Sequence, residues 1–97
     1  MKNAIIGLCT LELHLPGLTS LKEKRSIIKS MLKRLHNTFN VSAAEIDYLD
    51  KWQKSAIAIT CVSNQNAHAV KIMQNVIDFV ETNYPEALII EQQIETL

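Results

Sequence analysis

Residues 4–25 read AIIGLCTLELHLPGLTSLKEKR and contain a strand, a turn and the start of a helix in immediate succession. From Ala4 to Leu15 apolar and polar residues alternate, which is the period of a strand with one buried face. The Pro-Gly pair at 16–17 ends that strand. Ser20 is followed three residues later by Glu23, the spacing of a capping box, in which two side chains satisfy backbone N–H groups at a helix start.

The remainder of the chain continues to alternate between strand and helix patterns. The first helix is expected to run to about Asn37, where its apolar period ends. Four further elements are predicted: a strand from Val41 to Asp50, a strand from Trp52 to Ser63, a helix capped by Asn64–Asn66 and closed by Pro85, and a strand from Ala87 to Ile94. In the last strand we expect Leu88, Ile90 and Ile94 to face one way.

The predicted order is strand, helix, strand, strand, helix, strand. Each helix has one apolar stripe and each strand has one apolar face, so both helices are expected to cover the same side of one sheet. This pattern predicts an α+β protein with a ferredoxin-like split β-α-β fold, in which a four-stranded antiparallel sheet carries two helices on one face. The chain has 97 residues, a length typical of a single domain spanning residues 1–97.

The composition excludes several classes of protein. Hydrophobic residues make up 47% of the chain, and it has only two Gly and two Pro, which argues against a disordered or low-complexity protein. No segment approaches the roughly 20 apolar residues that cross a bilayer, so we expect a cytoplasmic protein without a membrane partner. Cys9 and Cys61 lie in apolar strand patterns and form no Cys-x-x-Cys pair, which favours buried reduced thiols over a metal or redox role. No cofactor is expected.

Charge is distributed unevenly along a chain whose formal net charge is zero. Six of the ten basic residues fall within residues 20–35: Lys22, Lys24, Arg25, Lys29, Lys33 and Arg34. The last twenty residues carry only acidic charges in return. On a helical wheel, five residues of the first helix fall within about 80° of one another, beside the apolar stripe: Lys22, Arg25, Lys29, Lys33 and His36. Such a cationic stripe favours a polyanionic partner.

The candidate nucleic-acid-binding residues are all on this helix: Lys22, Lys24, Arg25, Lys29 and Lys33. They are expected to contact phosphates, since the first and third strands lack the aromatic residues on which RNA-recognition sheets stack bases. Two alternatives stay open. The stripe is also compatible with an ordinary solvated helix face that pairs with acidic groups such as Glu45, or with an acidic protein partner. In addition, Glu23 in the first turn can already occupy the positive end of the helix.

Four segments resemble a known family. These are Leu15-Pro16-Gly17, the Ser-Leu-Lys-Glu-Lys-Arg run at 20–25, residues 39–45 (FNVSAAE) and Trp52-Gln53. Together they are similar to the YlxP-like family of small bacterial proteins of unknown function, over nearly the whole chain. The resemblance implies a ferredoxin-like fold, a bacterial cytosolic protein, and genes near those for a translation initiation factor and ribosome-binding factor A. The resemblance implies no catalytic residues.

Two polar groups are weaker candidates for chemistry. Glu12 and His14 are expected to lie near Trp52 and Lys54, because the first and third strands are antiparallel neighbours, and such a group can transfer protons. Glu45 and Asp47 on one strand face are compatible with a metal site if a third ligand is present; for both groups a cross-strand ion pair is the more common explanation. The chain has no nucleophile motif and no glycine-rich phosphate loop, so we do not expect an enzyme.

The sequence therefore predicts a non-enzymatic binding module associated with RNA or the ribosome, contacting ribosomal RNA or a ribosomal particle through a basic helix. The alternative is a protein-interaction or small-ligand regulatory domain with no nucleic-acid role. A second prediction concerns the sheet face away from the helices, which carries apolar residues among polar ones: Leu8, Ala56, Ala58, Val62 and Trp52. Because a monomer would leave this strip in water, we expect a symmetric homodimer through that face.

Overall fold

A computed structural model describes residues 4–97, so the predicted domain boundary at residue 1 lies outside the described part. The elements are β1 (Ile5–His14), α1 (Leu21–Thr38), β2 (Ser42–Asp47), β3 (Lys54–Ser63), α2 (Asn66–Asn83) and β4 (Leu88–Thr96). The strands form one antiparallel sheet in the order β2-β3-β1-β4. This confirms the α+β class and the ferredoxin-like topology.

The core lies between the sheet and the two helices. In β1, Cys9, Leu11 and Leu13 are fully buried, whereas Thr10 and Glu12 between them lie on the opposite face of the sheet. The helices supply aliphatic and methionine side chains to the same core: Ile28, Met31 and Leu35 from α1, and Met73, Val76 and Val80 from α2. The alternation of β1 and the apolar stripes of the helices are therefore confirmed. The sheet face away from the helices is uncovered and is here called the open face.

An irregularity in β4 reverses part of the predicted pattern. Leu13 of β1 pairs with Ile89, and the neighbouring residue Glu12 pairs with Glu91. Ile90 therefore has no partner in β1 and is an extra residue in β4. As a result Ile89 packs against the core, while Leu88 and Ile90 are 51% and 54% exposed. The prediction that Leu88, Ile90 and Ile94 share one face was wrong, because one inserted residue shifts the phase of a period of two.

The start of α2 also differs from the prediction. Its N-cap is Gln65, and no side chain caps the helix there. Instead, the Ser63 hydroxyl accepts a hydrogen bond from the Gln65 N–H at 3.2 Å, one residue ahead of the helix. The polar run Asn64–Asn66 thus marks the helix start without supplying its cap.

Both cysteines are buried free thiols, as predicted. Burial raises the pKa of the Cys9 thiol from its ordinary value of 9.0 to about 11. Cys61 lies where β1 and α2 approach closely: a Cβ on Gly7 would be 2.9 Å from the Cys61 sulfur and 3.3 Å from the Ala69 Cβ. Both thiols are therefore inaccessible to solvent, and the raised pKa of Cys9 also keeps that thiol protonated.

We expect the native protein to react slowly with an aromatic disulfide reagent. At about pH 8, a pKa near 11 leaves Cys9 with about a hundredfold less thiolate than an ordinary thiol, and burial of both cysteines further limits access. The rate of thiol release, followed by absorbance with and without urea, measures this protection. Labelling of either cysteine in the folded protein at the rate seen in urea would contradict the assignment.

Candidate nucleic-acid interface

Four basic side chains form a row along the exposed side of α1, here called the basic ridge: Lys22, Arg25, Lys29 and Lys33. All four are exposed, and from the rise per residue the row is about 16 Å long. Within residues 4–97 the ion pairs are Lys24–Glu45 and Lys54–Glu12, so no carboxylate of the described chain neutralises the ridge. The ridge is therefore a linear set of available cations on a rigid element.

Lys24 is a correction to the predicted binding set. Its side chain is fully buried, with the ammonium 2.7 Å from Glu45 Oε2. The same nitrogen donates to the backbone carbonyls of Tyr48 at 2.9 Å and Leu49 at 3.3 Å, which uses its three protons. Lys24 falls on the apolar side of the wheel, four residues before Ile28. It is therefore unavailable to a phosphate.

Glu45 is occupied by the same network and is not free to bind a metal. Its Oε2 atom also accepts a hydrogen bond from the Ser55 hydroxyl at 2.7 Å, and Ser55 is fully buried. A register shift in the pairing of β2 with β3 separates Glu45 from Asp47. In residues 4–97 no three His, Cys, Asp or Glu side chains are grouped closely enough to hold a metal ion.

The two other basic residues of α1 are fixed by contacts within the fold. Arg34 donates to Asn83 Oδ1 at 3.0 Å, and its guanidinium lies 5.3 Å from the centres of the Phe79 and Tyr84 rings, so it joins α1 to α2. His36, which the wheel placed beside the ridge, has Nδ1 3.0 Å from the Val41 carbonyl oxygen. The outward-facing charge of α1 is therefore concentrated in the ridge.

The start of α1 is closed to an external anion. The Glu23 N–H donates to the Ser20 hydroxyl oxygen at 3.1 Å, which confirms the Ser20 half of the predicted capping box. The Glu23 carboxylate reaches back one residue further than expected and accepts bonds from the hydroxyl and the N–H of Thr19. These hydrogen bonds lower the pKa of the Glu23 carboxyl group, and the bond from the Thr19 hydroxyl has the largest effect. A phosphate can therefore be bound by the side chains of the ridge, while the helix terminus is already filled.

A second polar cluster lies where the loop between β2 and β3 meets the open face. The Tyr48 hydroxyl donates to Glu12 Oε1 at 3.0 Å, and the Lys54 ammonium lies 4.3 Å from the centre of the Tyr48 ring and 3.9 Å from the same carboxylate oxygen. The predicted contact between Glu12 and Lys54 is confirmed. The prediction that Trp52 lies on the open face was wrong. Because β3 begins at Lys54, Trp52 belongs to the loop that precedes it. Glu12 and Lys54, the two charged groups of this cluster, are thus paired with each other, as in an ordinary cross-strand cluster.

Small side chains of low polarity occupy the centre of the open face, and apolar side chains occupy one end of it. Ala58 pairs with Thr10 in the middle of the sheet, and Ile6 pairs with Val62 at one end. Val62 is 72% exposed and Ile6 is 42% exposed. At the other end Glu12 lies directly opposite Glu91 across the β1–β4 pair. The described helices include none that is long and apolar enough to cross a membrane.

Comparisons with known proteins agree with this architecture. The chain is 39% identical to the uncharacterized protein YlxP of Bacillus subtilis (strain 168) over 82 residues, which are 84% of this chain and 88% of that protein. A crystal structure of a dimeric ferredoxin-like protein of unknown function from Thermobifida fusca superposes with a TM-score of 0.51 at 8% identity, covering 100% of this chain and 92% of that one. The de novo designed protein Foldit4 has a TM-score of 0.57 at 8% identity, covering 97% and 96%. Because the profile of the family described as "Protein of unknown function (DUF503)" also matches residues 6–94, this chain belongs to the DUF503 family, which confirms the resemblance to YlxP.

Proposed function

We propose that this protein is a non-enzymatic RNA-binding module that associates with ribosomal RNA or a ribosomal particle. The observation that carries the proposal is the basic ridge, in which Lys22, Arg25, Lys29 and Lys33 are exposed and free of carboxylate partners in the described chain. A row of cations on a helix suits successive phosphates of one strand. Contacts to phosphate fix position and carry little sequence information, so binding is expected to be weakly dependent on sequence.

The spacing of the ridge supports an external anion over a purely structural role. Arg25, Lys29 and Lys33 are separated by four residues each, so like charges are neighbours on the helix surface. Such pairs destabilise an isolated helix by about 0.2–0.5 kcal/mol each at low salt. A bound phosphate backbone relieves that repulsion. The acidic groups of the C-terminal region leave the ridge unpaired, although the formal net charge of the chain is zero.

Salt dependence tests the proposal on the unmodified protein. If the ridge neutralises four phosphates of a single strand, the logarithm of the association constant should fall with the logarithm of salt concentration with a slope of about −2.8. Affinity should then drop about fiftyfold between about 50 and 200 mM salt. Fluorescence polarisation of labelled ribosomal RNA fragments measures this slope. Absence of binding at low salt contradicts the proposal.

An acidic protein surface is the competing partner for the same ridge. Purified ribosomal particles and bacterial lysate, each offered to the immobilised protein with and without ribonuclease, separate the two. Under the proposal, capture of ribosomal RNA and its associated proteins is lost after ribonuclease treatment. Capture of a defined acidic protein that survives the treatment contradicts it.

We also propose that the protein self-associates through the open face. The support is the exposed apolar end at Ile6 and Val62, beside a centre of small side chains at Thr10 and Ala58. Small residues let a second sheet approach to about 10 Å, the usual distance between stacked sheets. The fold relative from Thermobifida fusca is described as dimeric.

Ala58→Arg is expected to split this dimer. Position 58 lies in the third strand at the middle of the open face, so in a symmetric dimer the new guanidinium groups would be desolvated close to each other. The monomer fold should survive, since the substituted side chain points away from the core. Sedimentation velocity at high concentration should show a dimer for the unmodified chain and a monomer for the variant. A monomer in both cases contradicts self-association.

A further inference from the structure

Trp52 is an exposed aromatic side chain held on a rigid loop. Its exposed fraction is 53%, and it lines a depression of about 530 Å³ together with Tyr48, Lys51, Gln53 and Lys54. An indole face that is open to solvent beside lysine side chains is the chemistry on which unpaired nucleic-acid bases stack. We propose that Trp52 is a stacking site for an unpaired base of a single-stranded RNA whose phosphates lie along the basic ridge. The proposal rests on the proposed function and names its substrate class.

The loop is held on both sides of Trp52, by bonds to the segment between β1 and α1 on one side and by a turn within the loop on the other. Gln53 accepts a hydrogen bond from the Leu15 N–H at its carbonyl (2.9 Å) and donates from its amide to the Leu18 carbonyl at 3.0 Å. On the other side, the Lys51 N–H donates to the Tyr48 carbonyl at 3.0 Å. The indole is thus presented by a fixed backbone, and less conformational freedom is lost when a base binds.

Buried Lys24 fastens this loop to the N-terminal turn of α1, on the side of the helix away from the ridge. Its ammonium binds the Tyr48 and Leu49 carbonyls, while its backbone lies between Lys22 and Arg25 at the N-terminal end of the ridge. One lysine side chain therefore spans the gap between the loop and the helix. A strand that leaves the ridge at Lys22 has to pass around the N-terminal end of α1, a helix about 10 Å wide, to bring a base to Trp52.

The charges around the indole favour a nucleotide over an apolar partner. Lys51 is exposed, and no carboxylate of residues 4–97 pairs with it. Lys54 lies over the Tyr48 ring and near Glu12, and Asp50 is the one acidic neighbour in the turn. Lys51 is thus positioned to contact the phosphate of the stacked nucleotide.

Because Trp52 is the only tryptophan of the chain, its fluorescence reports stacking directly. We expect a single-stranded RNA to quench this emission on binding. A duplex RNA with the same number of phosphates should bind through the ridge without quenching, since its bases are already stacked and paired. Affinities are measured in parallel by polarisation of the labelled RNAs.

Trp52→Ala should weaken single-stranded RNA binding about tenfold or more, the range of one base–aromatic stack, and leave duplex binding and the salt slope unchanged. Trp52→Phe should retain part of the effect. The matched control is Leu49→Ala, because Leu49 is on the same loop with an exposed fraction of 54% against 53% for Trp52. The control should bind both RNAs like the unmodified protein. Unchanged melting temperatures verify that the variants fold.

The possible results separate this inference from the proposed function. Binding of single-stranded RNA without quenching, or an equal loss of single-stranded and duplex affinity in Trp52→Ala, overturns the stacking site and leaves the ridge intact. An effect of Leu49→Ala as large as that of Trp52→Ala identifies a general apolar contact and also overturns it. Failure of the unmodified protein to bind either RNA at low salt overturns the proposed function itself.

Discussion

Lys24→Met is expected to lower the free energy of unfolding by about 3 kcal/mol. Removing one partner of a buried ion pair leaves an uncompensated charge, which costs about 3–5 kcal/mol. The Glu45 side chain is 15% exposed, so water can partly solvate its carboxylate and the lower end of that range applies. Methionine matches the length and apolar stem of lysine, so the substitution removes the charge and its hydrogen bonds with little loss of packing.

The matched control is Lys29→Met, on the exposed side of the same helix. Its expected effect is within about 0.5 kcal/mol, because position 29 is exposed and makes no ion pair in the described chain. Urea unfolding followed by circular dichroism measures both variants. Similar midpoints for the two would contradict the buried role of Lys24.

A second comparison isolates the ion pair from the volume change. The double variant Lys24→Met, Glu45→Leu removes both charges, and apolar replacement of a whole buried pair is often neutral or stabilising. We expect it to be more stable than Lys24→Met alone, even though Ser55 loses the oxygen to which it donates. A double variant less stable than the single one would show that the carboxylate is not the source of the cost.

The burial of Lys24 shows where sequence patterns conflict. Residues 24, 28, 31 and 35 recur at the spacing of a buried helical stripe, and the last three are Ile28, Met31 and Leu35. The position thus indicates burial, whereas a lysine side chain indicates exposure. What resolves the conflict is the partner Glu45, twenty-one residues away on β2. A partner at that distance is invisible to periodicity, because only the fold brings it close.

Other differences between prediction and structure also arise from backbone detail. The alternation of β1 and the Ser20 cap of α1 were predicted correctly because each depends on neighbours in the chain. The extra residue at Ile90 and the true start of β3 depend on pairing across the sheet. The polar run from Tyr48 to Lys51 indicates a connection between two strands, but Tyr48 has a φ of 60°, a left-handed conformation that non-glycine residues rarely adopt. The backbone geometry that exposes Trp52 therefore could not be predicted from the sequence.

The remaining prediction concerns the basic ridge, where replacement of Lys22, Arg25, Lys29 and Lys33 by Gln should weaken RNA binding about a thousandfold at low salt. Each phosphate contact releases about 0.7 counterion from a single strand, which at about 50 mM salt corresponds to five- to tenfold in affinity. Gln is a good helix former, and the change removes like-charge neighbours, so the free energy of unfolding should stay constant or rise slightly. Polarisation and urea unfolding measure the two quantities.

The control must lower the net charge equally without touching the ridge. Four neutral, exposed residues on α2 and β4 serve this purpose when they are replaced by acidic ones: Gln74→Glu, Asn75→Asp, Thr82→Glu and Gln92→Glu. If the ridge is the binding surface, the control should lose far less affinity than the ridge variant and keep most of the salt slope. Equal losses would show that overall charge governs binding, and undiminished binding by the ridge variant would move the RNA contact away from α1. Because Lys24 is left in place, neither variant disturbs the loop that carries Trp52, so the stacking signal should persist in the control and vanish with binding in the ridge variant.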